Sequence, residues 1–304
     1  MRSSLRALAE QLTEAGHRIS PPTVRRLLRA QDYSLLANRK EKEAGAHPPE
    51  RNRQFLYLKI QRTAFAAGGY PVISVDTKKK ELIGAFRNAG VSWRKEPIEV
   101  NVHDFLQDAL GRAVPYGIYD LRRNHGTVYV GDSADTSAFA VGCLAEWWET
   151  IGSIAYPQAD RLLILADGGG SNGYRCRLWK EQLQSAVCDR YGLTVTVGHY
   201  PTGCSKYNPI EHRLFGPISV NWAGKPLETF EAMLAYIQGT QTRTGLEVKA
   251  VRKAGVFEKG QKVSDEVMAA LALERHLVCP NWNYTLHPRS LPPSLPSSIP
   301  DLIS

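Results

Sequence analysis

The sequence predicts an α/β fold, a mixed sheet flanked by helices, and three observations support this. Short apolar runs rich in β-branched residues occur at 71–75, 161–166 and 193–198. Such runs are typical of strands buried on both faces. The later runs are separated by segments long enough for helices, and Asp76 and Asp167 stand at the ends of two runs. Open α/β sheets gather their chemistry at the carboxyl ends of strands, so these two acids mark a candidate site.

The chain begins with a pattern that predicts two short helices around a tight turn. Gly16 stops the first helix, and Ser20 precedes Pro21 and Pro22 at the start of the second. Serine is a favoured N-cap, and proline is favoured at the first position of a helix. We therefore expect a helix-turn-helix within residues 1–36. The apolar stripe of its first helix is formed by Leu5, Leu8, Ala9 and Leu12.

The second of these helices is basic, which predicts a DNA-binding surface. Val24, Leu27 and Leu28 are expected to face the first helix. An ordinary helical hairpin would have the same spacing, and this alternative stays open. Because a helix-turn-helix normally needs a third helix to bury its core, we expect the segment to be a truncated part of a longer DNA-binding domain. The outer face of the second helix carries Thr23, Arg25, Arg26 and Arg29.

The middle of the chain predicts a linker with a helix at 37–69, followed by a larger domain at 70–240. The linker helix spans 54–67 and is stopped by two glycines. Within the larger domain the order is β-β-β-α-β-α-β-α, which is the RNase H-like order. Its further elements are strands at 83–87, 98–102 and 126–131 and helices at 134–151 and 174–191, the first capped by Ser133 or Asp135.

The carboxyl-terminal part predicts two smaller pieces. Residues 241–289 have the pattern of a small α+β appendage. Residues 290–304 are rich in serine and proline with few charges, and they predict a disordered tail.

Charge, cysteine spacing and hydropathy limit the classes of protein to which the sequence can belong. The net charge is +8, and residues 1–60 contain 12 Lys and Arg against 6 Asp and Glu, so a polyanion is the expected partner. The five cysteines form no C-x-x-C pair, which argues against a zinc site or a disulfide framework. No apolar run is long enough to cross a membrane, and the start lacks a signal core. We expect a cytoplasmic, nucleoid-associated protein.

A third acid, Glu211, follows the strand at 193–198 and is expected on the next helix. The topology would bring Asp76, Asp167 and Glu211 together. Three clustered carboxylates repel one another without a cation, and hard oxygen ligands suit Mg²⁺, with Mn²⁺ as a substitute. Two such ions can activate the attacking oxygen and stabilise the leaving oxygen of a phosphodiester. Each acid taken alone can equally be a turn or N-cap residue.

Three blocks of sequence, residues 75–81, 167–172 and 207–212, contain the three acids. They resemble bacterial DDE transposases, in particular the ISAzo-type insertion-sequence family. The Asn-Pro-Ile-Glu piece also resembles mariner-like DDE enzymes. The resemblance covers residues 5–289. The chain departs from the family pattern at its N-terminus, which is short by part of a DNA-binding domain. It implies an RNase H-like fold, Mg²⁺-dependent strand cleavage and transfer, and binding to terminal repeats and target DNA, with a homo-oligomer on the DNA. The blocks are Val75-Asp76-Thr77-Lys78-Lys79-Lys80-Glu81, Asp167-Gly168-Gly169-Gly170-Ser171-Asn172 and Tyr207-Asn208-Pro209-Ile210-Glu211-His212.

Basic residues flank the three acids and are candidate DNA-binding residues. Lys78, Lys79 and Lys80 follow the first acid and can hold phosphates, although a solvated charge run would look the same. Lys206 and His212 flank Glu211, where a surface or core role is the alternative for the histidine.

Two other functions are compatible with parts of the sequence. The spacing of Gly168, Gly170 and Gly173 after a strand matches a dinucleotide-binding fingerprint and would indicate an oxidoreductase. Against this, Asp167 would place a negative charge beside the pyrophosphate. The other alternative is a non-catalytic regulator, with a helix-turn-helix carried on an inert RNase H-like body.

Overall fold

A computed structural model describes residues 4–33, 50–92, 94–101 and 106–289. The chain divides into two compact units, Met1–His47 and Pro48–Ser304, and each is described by itself. Most of the predicted linker, the end of the predicted strand at 98–102 and the predicted tail lie outside the described residues.

The first unit contains the two predicted helices, α1 (Leu5–Glu14) and α2 (Pro21–Ala30). Ser20 caps α2 by accepting a hydrogen bond from the backbone N–H of Thr23, and Gly16 takes a positive φ of 93° between the helices. Val24 is buried, as expected. The prediction for Leu27 was wrong, because 47% of this residue is exposed.

The second unit is built around one sheet. Its helices are α3 (Arg51–Ala67), α4 (Ser137–Trp147), α5 (Ser153–Ala155), α6 (Arg177–Leu183), α7 (Gly216–Asn221), α8 (Phe230–Gln238) and α9 (Asp265–Ala269). Its strands are β1 (Val72–Thr77), β2 (Glu81–Ile83), β3 (Gly111–Asp120), β4 (His125–Gly131), β5 (Arg161–Ala166), β6 (Thr194–His199), β7 (Glu247–Arg252), β8 (Leu273–Arg275) and β9 (Asn283–Leu286). π-helical turns are formed by Trp148–Gly152, Gln184–Asp189 and Glu211–Phe215.

The strands form a mixed sheet in the order β7-β4-β3-β1-β5-β6-β9-β8, with β2 paired to the start of β3. Strands β1, β3 and β4 are antiparallel neighbours, whereas β1, β5 and β6 are parallel. The central order β4-β3-β1-β5-β6 is the RNase H-like order, so the predicted fold class is confirmed.

The long strand β3 was missing from the sequence prediction. Strands were expected at 83–87 and 98–102. Among the residues described in that region, the structure has β2 at Glu81–Ile83 and an isolated bridge between Phe86 and Asn101. The sequence of β3 contains Pro115 and Gly117, and both residue types weaken a strand pattern.

Glycine in the middle of β3 is explained by packing. A Cβ at Gly117 would lie 2.5 Å from Cε1 of Phe215 and 2.8 Å from Cδ1 of Ile210. A Cβ at Gly126 on β4 would meet Leu214 in the same way. The helical segment that carries Glu211 therefore lies directly on these glycines.

The carboxyl-terminal segment is α+β, and its strands extend the central sheet instead of forming a sheet of their own. Strand β7 pairs with β4 at one edge, and β9 pairs with β6 at the other. The predicted helix caps were wrong, because Thr136 caps α4 by accepting from the backbone N–H of Phe139.

The core lies on both faces of the sheet. On one face α4 and α6 bury Trp147, Trp148 and Trp179 against the strands. On the other face lie α7, α8 and the segment of Ile210, with Leu58 of α3 beyond. The five cysteines are free, and no described helix is long and apolar enough to span a membrane.

Candidate active site

Two of the three acids lie at neighbouring strand ends. Val75 of β1 is paired in parallel register with Ala166 of β5. Asp76 and Asp167 are the next residues along each strand, so they stand side by side at the carboxyl edge. This is the edge at which open α/β sheets carry their chemistry.

Glu211 is brought to the same edge by a buried clamp between β1 and the segment before the glutamate. The Ser74 hydroxyl donates to Oδ1 of Asn208, and the backbone N–H of Ile210 donates to Oγ of Ser74 at 3.1 Å. The amide of Asn208 also donates to the β1 backbone at 3.3 Å. Ser74 precedes Asp76 by two residues, and side chains two apart on a strand share a face. The clamp thus holds the start of the turn Glu211–Phe215 beside the first acid.

The three carboxyl groups influence one another electrostatically. Burial and the charges of Asp167 and Glu211 raise the pKa of Asp76 from 3.8 to about 8. Burial and the charge of Glu211 raise the pKa of Asp167 from 3.8 to about 6. Burial also raises the pKa of Glu211, although the nearby Lys78 ammonium opposes the shift. Bringing these groups together as anions therefore costs free energy that a cation would offset.

One oxygen of the site lacks a partner. Oδ1 of Asp167 is buried and accepts no hydrogen bond from any described residue. A buried carboxylate oxygen without a donor is unfavourable, and a divalent cation is a chemically suitable partner. In the described part of the chain, no three His, Cys, Asp or Glu side chains converge closely enough to hold a metal ion. The carboxylate oxygens of Asp76, Asp167 and Glu211 are suitable donors for a divalent cation. Their side chains would have to rotate to bind one ion together.

A fourth acid, Asp135, belongs to this edge and was missed by sequence reasoning. It was interpreted as a helix cap, but its Oδ1 accepts from the Thr77 hydroxyl at 3.1 Å and its charge contributes to the raised pKa of Asp76. The neighbouring Asp132 pairs instead with Arg252 at 2.7 Å. Strand β4 runs parallel to β1, so an acid after its carboxyl end reaches the same edge.

The lysines after Asp76 have different environments. Lys78 is largely buried, lies 3.5 Å from Glu81 and places its ammonium 4.6 Å from the centroid of the Trp222 ring. Lys79 and Lys80 are exposed, and Lys80 is 3.8 Å from Asp135. The three lysines and Asp135 line one cavity. Only the last two lysines are therefore presented to solvent as candidate phosphate-binding residues.

The residues that flank Glu211 lie at the surface. Lys206 and His212 are exposed, and an Nε2 hydrogen bond joins the His212 ring to the Lys206 carbonyl at 2.5 Å. The Lys206 ammonium is 5.2 Å from the centroid of the Tyr207 ring.

The glycine-rich loop after Asp167 is anchored by its far end. Oδ1 of Asn172 accepts from the Tyr116 hydroxyl at 3.0 Å, and the Ser171 carbonyl accepts from Ser137 at 2.7 Å. A short 3₁₀ turn (Gly170–Asn172) follows the strand, and α6 begins only at Arg177. A dinucleotide fingerprint needs a helix that opens within the glycines, so the loop does not support that alternative.

The basic residues predicted for DNA binding in the first unit are at its surface. Arg25, Arg26 and Arg29 are exposed, and with Leu5 and the two prolines at the start of α2 they line a cavity of about 480 Å³. Thr23 is partly buried, and its hydroxyl lies 2.9 Å from that of Ser20.

Comparison with known proteins gives one family match and several structural similarities. Residues 1–288 match the family described as Rhodopirellula transposase DDE domain. The Mos1 transposase paired-end complex with the left transposon end aligns with a TM-score of 0.46 and 12% identity, over 78% of this chain and 66% of that chain. The Mos1 strand transfer complex aligns with a TM-score of 0.46 and 13% identity, over 78% and 65%. The alignment thus spans slightly less than two thirds of each Mos1 chain. No curated protein matches the chain.

Proposed function

The chain belongs to the transposase DDE-domain family, and from that premise we propose that it cleaves and transfers DNA strands at the ends of a bacterial insertion sequence. The substrates would be the terminal repeats of the element and a target duplex. Asp76, Asp167 and Glu211 would form the catalytic site.

The main support is the position of the three acids on one edge of the sheet. Asp76 and Asp167 end adjacent parallel strands, and the Ser74–Asn208 clamp ties the segment of Glu211 to the first of them. The raised pKa values of Asp76 and Asp167 and the unpartnered oxygen of Asp167 are what a site built for a cation should have before it binds one. A purely structural cluster would instead pair its acids with arginine or with backbone N–H groups.

The metal would be Mg²⁺, with Mn²⁺ as a substitute, held by Asp76, Asp167 and Glu211. When bound, a pair of such ions activates the attacking oxygen and stabilises the leaving oxygen of a phosphodiester. The protein would supply the rest by orientation. Lys79 and Lys80 would bind phosphates beside the first acid, Lys78 would offset the charge of Glu211, and Lys206 would bind the strand near the third acid.

Binding and chemistry would lie in different parts of the chain. The outer face of α2, with Thr23, Arg25, Arg26 and Arg29, would bind the terminal repeat, and residues 70–240 would cleave it. We further propose that the protein acts in the bacterial cytoplasm on the nucleoid, as a homo-oligomer assembled on DNA.

A nicking assay tests this function. The purified full chain is incubated with a supercoiled plasmid that carries the genomic DNA flanking its gene, with Mg²⁺, with Mn²⁺ or with EDTA. We expect nicks at the element ends with either ion and none with EDTA. Binding to that DNA without nicking under any of these conditions would favour the alternative, a non-catalytic helix-turn-helix regulator.

A further inference from the structure

A second basic site lies outside the acidic edge. A cavity of about 720 Å³ is lined by residues from the start of α6, from α9 and from β8. Four of its lining residues are cationic, and none of the described residues that line it is acidic. The cations are Arg175, Arg177, Lys180 and Arg275.

The four cations are held in place and remain available. Lys180 is 5% exposed and donates to the Tyr174 carbonyl at 2.5 Å. Arg275 donates to the Pro280 carbonyl at 3.1 Å, and Arg177 pairs with Asp265 at 2.6 Å. Arg175 is exposed, and its guanidinium lies 5.1 Å from the centroid of the Tyr174 ring.

The cations of this basic pocket affect one another electrostatically. Burial, together with the charges of Arg275 and Arg177, lowers the pKa of Lys180. Four cations with one acidic partner, Asp265, leave the pocket with a net positive charge that an anion would offset. Guanidinium groups are well suited to phosphate because they donate two parallel hydrogen bonds.

The pocket adjoins the glycine-rich loop that follows Asp167. A second cavity, of about 450 Å³, is lined by the glycine-rich loop that follows Asp167, and it shares Tyr174 and Arg175 with the basic pocket. A Cβ placed at Gly169 or Gly170 would meet no atom within 4 Å, so the loop borders open space. Along the chain, the loop lies between Asp167 and Arg175, the first cation of the pocket. A strand bound at the acids would reach the four cations by passing over this loop.

We propose that this basic pocket binds backbone phosphates of DNA that continues past the cleavage site. The inference rests on the proposed function. It differs from a site for a small phosphorylated metabolite, because three of the four cations are exposed and the pocket adjoins the loop that follows Asp167.

Salt-dependent binding of a fluorescent 30-bp duplex of arbitrary sequence tests the inference on the full chain. The double variant Arg175→Gln/Arg275→Gln removes two exposed cations of the pocket. The matched control, Arg161→Gln/Arg190→Gln, removes two exposed cations elsewhere, one of them at the start of β5 and so at the opposite end of the sheet. We expect the pocket variant to bind more weakly and its plot of log K against log salt to be shallower by about 1.8, since each phosphate that is no longer neutralised lowers the slope by about 0.9.

Two further arms make the result decisive. The variant Arg175→Lys/Arg275→Lys keeps both charges and should keep the slope of the unmodified protein. The shallower slope of the Gln variant is then due to the lost charges and not to misfolding. Equal slopes for the pocket and control variants would overturn the inference. Loss of inorganic pyrophosphate binding with an unchanged duplex slope would also overturn it, in favour of a small-anion site.

The inference and the proposed function can fail separately. Nicking by the unmodified protein combined with equal slopes would remove only the pocket. A shallower slope in the pocket variant combined with no nicking under any condition would keep the DNA-binding pocket and remove the proposed chemistry.

Discussion

Asp120 and Asp167 lie at opposite ends of the sheet, and their environments differ. Asp120 ends β3, which runs antiparallel to β1, so it lies at the edge away from Asp76 and Asp167. It is 1% exposed and accepts from the backbone N–H groups of Arg122 and Arg123 at 3.0 and 3.2 Å. Its two oxygens also accept from the Tyr156 hydroxyl at 2.9 and 2.8 Å.

The two acids therefore differ in how well the surrounding residues satisfy their oxygens. Asp120 has a donor for each oxygen and closes the turn between β3 and β4. Asp167 keeps a buried oxygen without a donor among the described residues, and burial together with the charge of Glu211 raises its pKa. An unsatisfied buried carboxylate oxygen is costly, which is consistent with the cation proposed to bind there.

The largest expected effect comes from removing one of the three acids. Asp76→Asn, Asp167→Asn and Glu211→Gln should each lower Mg²⁺-dependent nicking by about 10³-fold or more, since loss of a direct ligand exceeds the roughly 10–100-fold cost of losing an outer partner. Asp120→Asn is the matched control and should keep the nicking rate per folded molecule. An acid variant that nicks at the normal rate would remove that residue from the site.

The clamp beneath the site should have a smaller effect of the same kind. Ser74→Ala removes the hydroxyl that positions Asn208 and Ile210, so the nicking rate at saturating DNA should fall about 10–100-fold with unchanged DNA affinity. Thr196→Val removes a comparable buried hydroxyl between β6 and β9 and should leave the rate unchanged. Equal rates in the two variants would mean that the clamp does not position Glu211.

The first unit should affect affinity and leave the chemistry intact. Replacing Arg25, Arg26 and Arg29 by alanine should weaken binding to element-end DNA roughly tenfold and flatten its salt dependence, by about 0.9 for each phosphate that these arginines neutralise. Nicking at saturating DNA should survive. An unchanged salt slope would make α2 part of a packing hairpin and move end recognition elsewhere.

The smallest expected effect is on the free energy of unfolding, which should change in opposite directions when an acid at one or the other edge of the sheet is replaced. An acid whose pKa is raised on folding binds more protons folded than unfolded, so the free energy of unfolding falls as the pH rises from about 4 to 8. In EDTA at pH 7, Asp76→Asn should therefore raise the free energy of unfolding by about 1–3 kcal/mol, and its decline with pH should be shallower. Asp120→Asn should instead lower it by about 1 kcal/mol. Urea denaturation at pH 5 and pH 8 measures the free energy of unfolding of both variants. A loss of stability in Asp76→Asn would contradict the repulsion among the clustered acids.

The parts of the fold that could be predicted are those with local signals. Strands β1, β5 and β6 are continuous apolar runs, and α2 has both its serine cap and its prolines. Strand β3 was missed because its glycine makes room for Phe215, about 100 residues later. No local pattern in 111–120 records that packing.

In the candidate site, too, the residues that could be predicted are those with a local signal in the sequence. Asp76 and Asp167 could be paired in advance, because parallel neighbouring strands end at one edge. Asp135 was assigned to a helix cap because Ser and Thr surround it, and only the direction of β4 places it beside Asp76. The Ser74–Asn208 clamp joins residues 134 positions apart, so it becomes visible only in the folded chain.

Manganese binding measured by electron paramagnetic resonance tests the central claim most directly, that Asp76, Asp167 and Glu211 form one cation site. The unmodified chain, Asp167→Asn and Asp120→Asn are titrated with Mn²⁺ in the presence of a 30-bp duplex. We expect the unmodified chain and Asp120→Asn to bind Mn²⁺ alike, and Asp167→Asn to bind at least about tenfold more weakly. Equal Mn²⁺ affinity in all three proteins would contradict the claim.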